Sequence, residues 1–416
     1  MTVGIRHDDL RRRNRAMVIA AVRRGGQPSR TEIAATTALS HSTISAISSD
    51  LIGEGVLAEA KSGEGGALKR GRPQVAIALN PEVASVCAIV LSLNSIAATL
   101  IDYSGNAVAE KTLRLSTLTM SRDELIAATT GTVVKLIDEH ARDAGPVTRI
   151  VLAIQGITDA ASRTMLWSPI TPHSDIPFGD LLERATGISV TVENDCNMIA
   201  LALRSHDPER YHNDFIAILL SHGIGMGMVL RGELFTGTQS SGGEFGHMIH
   251  RPDGALCRCG RRGCVEAYAG NYAIWRNAKG LPDDTSPIAD IKDSDIAALA
   301  DEARRGDGPE REAFRKAGEA LGFGLGSLFA LLDPAPVAMV GHGALAFDLL
   351  EGPIREAIAR TAGGQHSKAI SFATEPNEIP LIREGCAARA LSFLDEQLFA
   401  SGGSGLNFAA RKKDVA

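Results

Sequence analysis

Three cysteines fall within eight positions of the stretch EFGHMIHRPDGALCRCGRRGCVEAY, and two histidines precede them. Thiolate sulfur and imidazole nitrogen are ligands that zinc prefers, and the glycines in this stretch allow tight turns between the ligands. Cys257, Cys259 and Cys264 therefore predict a zinc site. His247 and His250 both compete for the fourth ligand position. Four protein ligands leave no place for water, so the predicted Zn²⁺ is structural; free thiols or a redox pair are the alternative.

The hydrophobic pattern predicts the elements that must position this stretch. From Ser85, three short apolar runs predict strands, and an amphipathic helix (121–142) and a buried strand (149–154) follow. The same order recurs with strand-like runs between 215 and 236, a helix at about 310–332 and a strand at 337–340. Two such halves predict a duplicated α/β fold with a ligand cleft between two lobes.

The first 60 residues predict three short helices, with Ser29 and Ser40 as N-caps of the second and third. In the third helix Ile44, Ile47 and Leu51 form an apolar stripe, so the opposite face is polar. Small polar side chains at the start of a helix suit a recognition helix in the DNA major groove. A helical module that contacts only protein is the alternative. The residues predicted to face DNA are His41, Ser42, Thr43 and Ser45, with Ala46 and Ser49 beside them.

Residues 53–75 predict a wing and a basic linker. Arg70 and Arg72 are predicted to reach the minor groove, although a solvated tether would have the same composition. Residues 1–75 carry 12 Lys/Arg against 7 Asp/Glu, whereas the rest of the chain carries 31 against 42. A basic head on an acidic body predicts that the head meets nucleic-acid phosphate.

Bulk composition places the chain among soluble globular proteins of two or three domains. Apolar residues make up 44% of the 416 residues, and no apolar run approaches the roughly 20 residues that a membrane helix needs. The first residues lack the apolar stretch of a signal peptide, so a cytoplasmic location without a membrane partner is expected. The isolated Cys87, Cys196 and Cys386 are expected to be small buried hydrophobes.

The segments Glu244-Phe-Gly-His247 and Cys257-Arg-Cys259-Gly-Arg-Arg-Gly-Cys264-Val-Glu266 together resemble the two signature stretches of the ROK family (repressor, open reading frame, kinase). The likeness extends from residue 85 to about 395, and the winged helix-turn-helix in front resembles the family's repressor branch. The resemblance implies a two-lobed, actin-like (duplicated RNase H-like) sugar-kinase fold. It also implies that His247, and not His250, completes the zinc site.

The resemblance further implies a set of sugar ligands. Val192-Glu-Asn-Asp195 is similar to the family's stretch that places Asn194 and Asp195 on sugar hydroxyls, with the aspartate as general base in kinase members. By the same likeness Glu244, His247 and Glu266 would bind the hydroxyls near the anomeric carbon. Fixed carboxylates and a zinc-held imidazole suit this task. Taken alone, the stretch at 192–195 could equally be a helix cap.

Family kinases carry an Asp-x-Gly-Gly-Thr turn after the first strand, and its backbone holds ATP phosphates. The matching stretch here, Val90-Leu-Ser-Leu-Asn94-Ser-Ile, has neither the aspartate nor the glycines. The second phosphate loop, 221–227, keeps three glycines, which turn and strand geometry could also explain. Phosphoryl transfer depends mostly on positioning the reactants and neutralising their charge, so loss of the first loop should remove most of the catalysis. Asp195 is therefore interpreted as a sugar ligand and the chain as a non-enzyme.

These observations predict a sugar-responsive transcription regulator, a repressor, of carbohydrate-uptake or catabolic genes. The alternatives are an active ATP-dependent sugar kinase with an appended DNA-binding head and a zinc-dependent hydrolase. The expected partners are operator DNA, a sugar or sugar phosphate effector, and further copies of the chain in a homodimer or homotetramer. The predicted domains are the winged helix-turn-helix with its linker (1–75), the first lobe (76–200), the second lobe with a C-terminal helix packing back on the first (201–399), and a disordered tail (400–416).

Overall fold

The structure is a computed structural model that describes residues 7–60, 75–140, 142–240, 242–287, 291–364 and 370–402. Arg70 and Arg72, and most of the tail for which disorder is predicted, lie outside the described residues. Among the described helices, none combines the length and the apolar character needed to cross a membrane.

The head consists of α1 (His7–Gly25), α2 (Arg30–Thr37), α3 (His41–Gly53), β1 (Leu57–Ala60) and β2 (Ala76–Leu79). Ser29 and Ser40 cap α2 and α3 as the sequence pattern indicates, and Ile44, Ile47 and Leu51 are buried. The helix α1 is 19 residues long, so it is longer than the short helix that the sequence pattern predicts.

The wing is an antiparallel hairpin in which Leu57 pairs with Leu79 and Ala60 with Ala76. Ile77 and Leu79 are buried and belong to the same apolar cluster as the head helices. The boundary predicted at residue 75 therefore falls inside this hairpin, and the head continues to Leu79. Alternating apolar residues such as Ala-Ile-Ala-Leu do not reveal which neighbouring strand they will pair with.

The first lobe contains β3 (Ser85–Ser92), β4 (Ser95–Asp102), β5 (Ala107–Arg114), α4 (Arg122–Glu139), β6 (Val147–Ile154), β7 (Ile157–Thr158), β8 (Met165–Trp167), α5 (Phe178–Thr186), β9 (Val190–Asn194) and α6 (Asp195–His206). The second contains β10 (Phe215–Leu220), β11 (Ile224–Leu230), β12 (Glu233–Leu234), α7 (Glu266–Ala269), α8 (Asn271–Ala278), α9 (Asp293–Arg305), α10 (Pro309–Leu332), β13 (Val337–Val340), α11 (Phe347–Ala359), β14 (Phe372–Glu375) and α12 (Glu378–Phe393).

Each lobe is built on a five-stranded sheet of the same topology. The strand orders are β5-β4-β3-β6-β9 and β12-β11-β10-β13-β14, with three antiparallel strands followed by two parallel ones. The strands β3 and β10 are buried along nearly their whole length, as expected for central strands covered on both faces. The predicted duplicated α/β fold is confirmed, and the cysteine-rich stretch is an insertion between β12 and α10.

The long helix α12 follows the second sheet but packs mainly on the first lobe, against α6, β3 and β6. Gly385 makes this possible, because a side-chain carbon there would collide with the backbone carbonyl of Met198 in α6. A π-helical turn, Leu394–Phe399, continues the chain and contacts α1 of the head. One continuous segment therefore runs from the second lobe, across the first, to the head.

Candidate functional site

His247, Cys257, Cys259 and Cys264 form a compact cluster whose four ligand atoms lie within 4.8 Å of one another. The Sγ atoms of Cys259 and Cys264 are 3.8 Å apart, and Cys257 Sγ lies 3.8 Å from His247 Nδ1. Thiolates bound tetrahedrally at about 2.3 Å from zinc would be separated by about 3.8 Å. The cluster therefore has the donor set and spacing to hold a metal ion.

Short bridges and one glycine hold the metal cluster in place. Isolated β-bridges join Ile249 to Cys264 and Leu256 to Arg262, which folds the insertion back on itself. Gly263 has a φ of +81°, and a side-chain carbon there would collide with the carbonyl oxygen of Arg251. Only glycine combines this conformation with this close approach.

His250 lies outside the metal cluster. Its ring packs against Tyr268 and Phe323, with centroid distances of 4.9 and 5.8 Å, and burial lowers its pKa. The two histidines are three residues apart, so spacing alone leaves both in contention. The geometry brings only His247 to the cysteines.

Burial raises the pKa of Cys264 to about 11, and burial together with the Glu266 carboxylate raises the pKa of Cys257 further. Thiolates are disfavoured in such a site unless a cation compensates them. The cluster is therefore suited either to neutral thiols or to thiolates around a metal ion, and its compact four-donor geometry favours the second.

The imidazole of His247 has two faces with different surroundings. Its Nδ1 points to the metal cluster, and its Nε2 lies 3.8 Å from Glu244 Oε2. The ring edge of Trp167, from the first lobe, lies against it with a centroid distance of 6.0 Å. His247 thus connects the metal cluster to the interlobe cleft, and a bound metal at Nδ1 would leave the Nε2 hydrogen to donate into the cleft.

Two carboxylates accompany His247. Glu266 is buried; its Oε2 accepts a hydrogen bond from the Ile224 amide at 3.1 Å, and Cys257 Sγ lies 3.7 Å from its Oε1. Burial raises the pKa of Glu244, and the Glu266 carboxylate adds to this while His247 opposes it. Glu266 is therefore tied to backbone and cluster, whereas Glu244 faces the cleft.

Asn194 caps α6: its Oδ1 accepts hydrogen bonds from the amides of Cys196 and Asn197, and its Nδ2 donates to the Gly156 carbonyl. The capping alternative considered from sequence is therefore present in the structure. Asn194 also lines a pocket together with Glu244, so this one side chain both caps α6 and faces the cleft.

Asp195 begins α6 and is almost fully buried. Burial raises its pKa to about 7, and a hydrogen bond from the Cys196 amide at 2.8 Å only partly offsets this. A carboxyl group that titrates near neutral pH beside a polar cleft is typical of a functional position.

The glycines of the second phosphate loop have steric reasons of their own. Side-chain carbons at Gly225 and Gly227 would collide with Cys196 at the start of α6, and one at Gly223 would lie 2.8 Å from Glu266 Oε2. These glycines therefore let α6 and Glu266 approach β11 closely. The pocket between Asn194 and Glu244 has a volume of about 30 Å³ in this arrangement.

The β3–β4 connection, where the first phosphate loop of a kinase would lie, is a tight turn. Asn94 adopts a φ of +63°, the hydroxyls of Ser92 and Ser95 are 2.7 Å apart, and the Leu93 side chain is buried. The turn thus carries a buried leucine next to an asparagine in the left-handed region.

In the head, His41, Ser42 and Ser45 are exposed on one face of α3. Thr43 is half-buried, and its hydroxyl lies 2.8 Å from that of the N-cap Ser40. The structure therefore brings the described members of the predicted DNA face to one surface, with Thr43 partly occupied by the cap.

Sequence reasoning missed the arginines that join the head to the body. Arg23 makes a two-pronged ion pair with the buried Asp395 at 2.8 and 2.9 Å and donates to the Tyr103 carbonyl, while the Tyr103 hydroxyl donates to Asp395. Arg12 and Arg15 bind backbone carbonyls of the 394–399 turn. Three of the head's positive charges thus face the body, and nothing in the local sequence around Asp395 indicates this contact.

A two-lobed α/β body with a polar cleft beside a His/Cys metal cluster, carrying a helix-turn-helix head, defines a sugar-kinase-type domain joined to a DNA-binding-type module. The ROK family model matches residues 86–377, and the chain belongs to the ROK family.

The chain is 23% identical to the xylose repressor of Caldicellulosiruptor bescii over 396 residues, covering 93% of this chain and 97% of the repressor. It is 30% identical to the glucokinase of Thermotoga maritima over 249 residues, covering 58% of this chain and 78% of the glucokinase. The crystal structure of a ROK family transcriptional regulator, a homologue of the Escherichia coli Mlc protein, superposes with a TM-score of 0.76 at 22% identity, covering 94% of this chain and 99% of that one. The predicted family and fold are confirmed.

Proposed function

We propose that this protein is a sugar-responsive transcriptional repressor of carbohydrate-uptake or catabolic genes. The likeness to a repressor spans the head and the body, whereas the likeness to a glucokinase covers 58% of the chain. The main observation in support is that α3 has an exposed polar face and that the head is fixed by an ion pair to a body that contains the cleft.

Operator DNA is the proposed partner of the head. The side chains of His41, Ser42 and Ser45 are polar and exposed, and the two serines are short, which permits close approach of α3 to base edges and phosphates. The antiparallel hairpin β1–β2 stands beside α3 as a wing, and Arg70 and Arg72 belong to the segment that joins its two strands. We propose that these arginines contact the minor groove, and that the protein binds DNA as a homodimer or homotetramer.

Zinc is the proposed metal of the cluster. Three thiolates and one imidazole are a preferred ligand set for tetrahedral structural zinc, and the sulfur–sulfur spacing fits that geometry. The ion would supply the positive charge that thiolates in this site require. His247, oriented through Nδ1, would then present Nε2 to the ligand in the cleft.

A sugar or sugar phosphate is the proposed effector, bound by Asn194, Asp195, Glu244, His247 and Glu266. Asn194 and Glu244 line a pocket with room for about one water molecule, Asp195 adjoins Asn194 in the chain, and His247 Nε2 lies 3.8 Å from Glu244 Oε2. A sugar ring must therefore open this pocket. A ligand that binds the opened pocket better than the closed one shifts the protein toward the open form. Such a difference in affinity between two forms is what an effector requires.

The helix α12 offers a physical route from cleft to head. At its start Glu378 accepts a hydrogen bond from Ser221 in the loop after β10, and near its end Arg389 pairs with Glu193, the neighbour of Asn194. The next turn holds Asp395, which binds Arg23 of α1. Movement of the lobes would therefore be passed to the head through one packed helix.

We further propose that the chain does not transfer phosphoryl groups. Two observations support this: the turn at Asn94 contains no glycine whose backbone could approach ATP phosphates, and packing accounts for the glycines at 223–227. An active sugar kinase with a DNA-binding head is the second candidate. ATP consumption at ordinary enzymatic rates with a panel of hexoses would establish that candidate and refute ours.

The test of the main proposal is fluorescence anisotropy with labelled DNA from the protein's own promoter, across a salt series and with a panel of free and phosphorylated sugars. We expect binding that weakens steeply with salt and that at least one sugar changes. Ser45→Glu should weaken binding at least tenfold through repulsion of DNA phosphate. The matched control is Ser327→Glu, at an exposed serine of α10, which should bind like the parent. Binding that is insensitive to salt, to sugars and to Ser45→Glu would refute the proposal.

A further inference from the structure

A second cavity lies away from the cleft, on the side of the first lobe that α12 covers. Its volume is about 560 Å³, within the range of pockets that hold small metabolites, and its walls are β6, β9, the 160–163 loop, the end of α12 and the turn that follows. The charged residues of the lining are three arginines, Arg149, Arg163 and Arg389, and one carboxylate, Glu396. No residue of the proposed sugar set lines it.

The three arginines of this cavity differ in how far their charges are neutralised. Arg163 pairs with Asp180 and Glu183, and the Nε of Arg389 pairs with Glu193. Arg149 has no carboxylate partner among the described residues; it donates to the hydroxyls of Ser189 and Thr191 and stacks on Phe393.

Donor groups remain available around Arg149. The terminal nitrogens of Arg389 have no hydrogen-bond partner within the described parts of the chain, and its side chain is 53% exposed. Burial lowers the pKa of Arg149 and the neighbouring charge of Arg389 adds to this, whereas the carboxylates of Glu183 and Glu193 oppose it. Arg149 and Arg389 repel each other, and Glu193, which pairs with the Nε of Arg389, offsets part of that repulsion.

The cavity wall also contains a strained residue. Ser162 adopts a φ of +53°, which an L-residue rarely takes, and its carbonyl accepts a hydrogen bond from the Val192 amide at 2.8 Å. Its hydroxyl has no hydrogen-bond partner among the described residues. Strain of this kind persists where the surrounding structure holds a residue in place, and it is common at ligand sites.

We propose that this cavity is a second effector site, which binds a small anion carrying a phosphate group through Arg149 and Arg389, with serine and threonine hydroxyls around it. Forked guanidinium donors match the geometry of phosphate oxygens. A phosphate bound between the arginines would add negative charge to that of Glu193 and offset their repulsion. Either free phosphate or a phosphate ester provides this group.

The position of the site gives it a route to the head. Phe393 and Gln397 line the cavity, and Gln397 also accepts a hydrogen bond from Arg12 of α1. Glu193, paired with Arg389, adjoins Asn194 in the cleft. Any effect of the anion on DNA binding rests on the proposed repressor function, whereas anion binding itself does not.

The test is calorimetric titration of the full chain with inorganic phosphate and with glucose 6-phosphate, against chloride at matched ionic strength. We expect saturable one-site binding that Arg389→Gln weakens at least tenfold. Arg389 is half exposed, so this variant should fold. The matched control is Arg355→Gln in the second lobe, a partly exposed arginine that, like Arg389, pairs with a glutamate. It should bind phosphate like the parent.

A second arm separates this site from the sugar cleft. Asp195→Asn should keep phosphate binding even if it alters sugar binding, because Asp195 does not line the cavity. The ligand that binds more tightly, inorganic phosphate or glucose 6-phosphate, shows whether the site prefers free phosphate or a phosphate ester. The proposal is overturned if neither ligand binds above the chloride control, if Arg389→Gln binds like the parent, or if Asp195→Asn abolishes phosphate binding.

Discussion

Asp195 should make the protein less stable as pH rises, and Asp195→Asn should remove that dependence. The carboxyl is buried at the cleft, and burial raises its pKa from 3.8 to about 7. The folded state therefore holds this proton more tightly than the unfolded state does. The destabilisation is absent below pH 3.8, grows through the interval up to pH 7, and is complete above it.

The magnitude follows from the two pKa values. Complete ionisation of a carboxyl with these values costs about 4 kcal/mol of folding free energy. Between pH 5 and pH 8 this group alone should lower the parent's stability by about 2.5 kcal/mol. Asp195→Asn keeps an oxygen for the Cys196 amide and cannot ionise. The unfolding free energy of the variant minus that of the parent should therefore increase by about 2.5 kcal/mol from pH 5 to pH 8.

Urea unfolding at both pH values, followed by tryptophan fluorescence, measures this difference. Trp167 is one of two tryptophans and lies against His247, so it reports on the cleft. The control is Asp284→Asn, the same chemical change at an exposed aspartate, which should follow the parent at both pH values. If the Asp195→Asn and parent stabilities change in parallel with pH, the burial argument is wrong.

Three further substitutions test other parts of the structure. Cys259→Ser should abolish stoichiometric zinc in metal analysis, lower the melting temperature and weaken sugar binding through His247; retained zinc and sugar affinity would contradict the assignment. Arg23→Gln should cost about 3 kcal/mol in chemical unfolding because it strands the buried Asp395, whereas Arg11→Gln, at an exposed ion pair, should cost less than about 1 kcal/mol. Gly385→Ala should cost more than about 2 kcal/mol by separating α12 from α6, whereas Gly352→Ala, with open space around it, should leave the melting temperature unchanged or raise it; equal effects would refute the packing argument.

The contact between head and body changes the meaning of the basic N-terminal region. Arg12, Arg15 and Arg23 all bind groups of the body or its C-terminal turn, so these three charges are directed at the body. The net charge of residues 1–75 is therefore a poor measure of the DNA-facing charge. The exposed face of α3 and the segment that contains Arg70 and Arg72 are left as the proposed DNA contacts.

Local patterns in the sequence were sufficient for most elements. The N-caps at Ser29 and Ser40, the buried stripe of α3 and the repeated strand order all depend on neighbouring residues, and the structure has them. The cysteine spacing likewise predicted a site able to hold a metal ion, and the structure brings the three thiols together with His247.

Tertiary structure decided what depends on residues far apart in the chain. Spacing left both His247 and His250 open and only the family resemblance favoured His247; the fold of the insertion brings His247 to the cysteines. The pairing of Ala76–Leu79 with β1 moved the end of the head. The Arg23–Asp395 pair joins residues 372 positions apart. The cavity around Arg149 exists only because α12 returns to the first lobe. Each of these contacts depends on which surfaces the packed chain brings together, and periodicity and spacing carry no information about that.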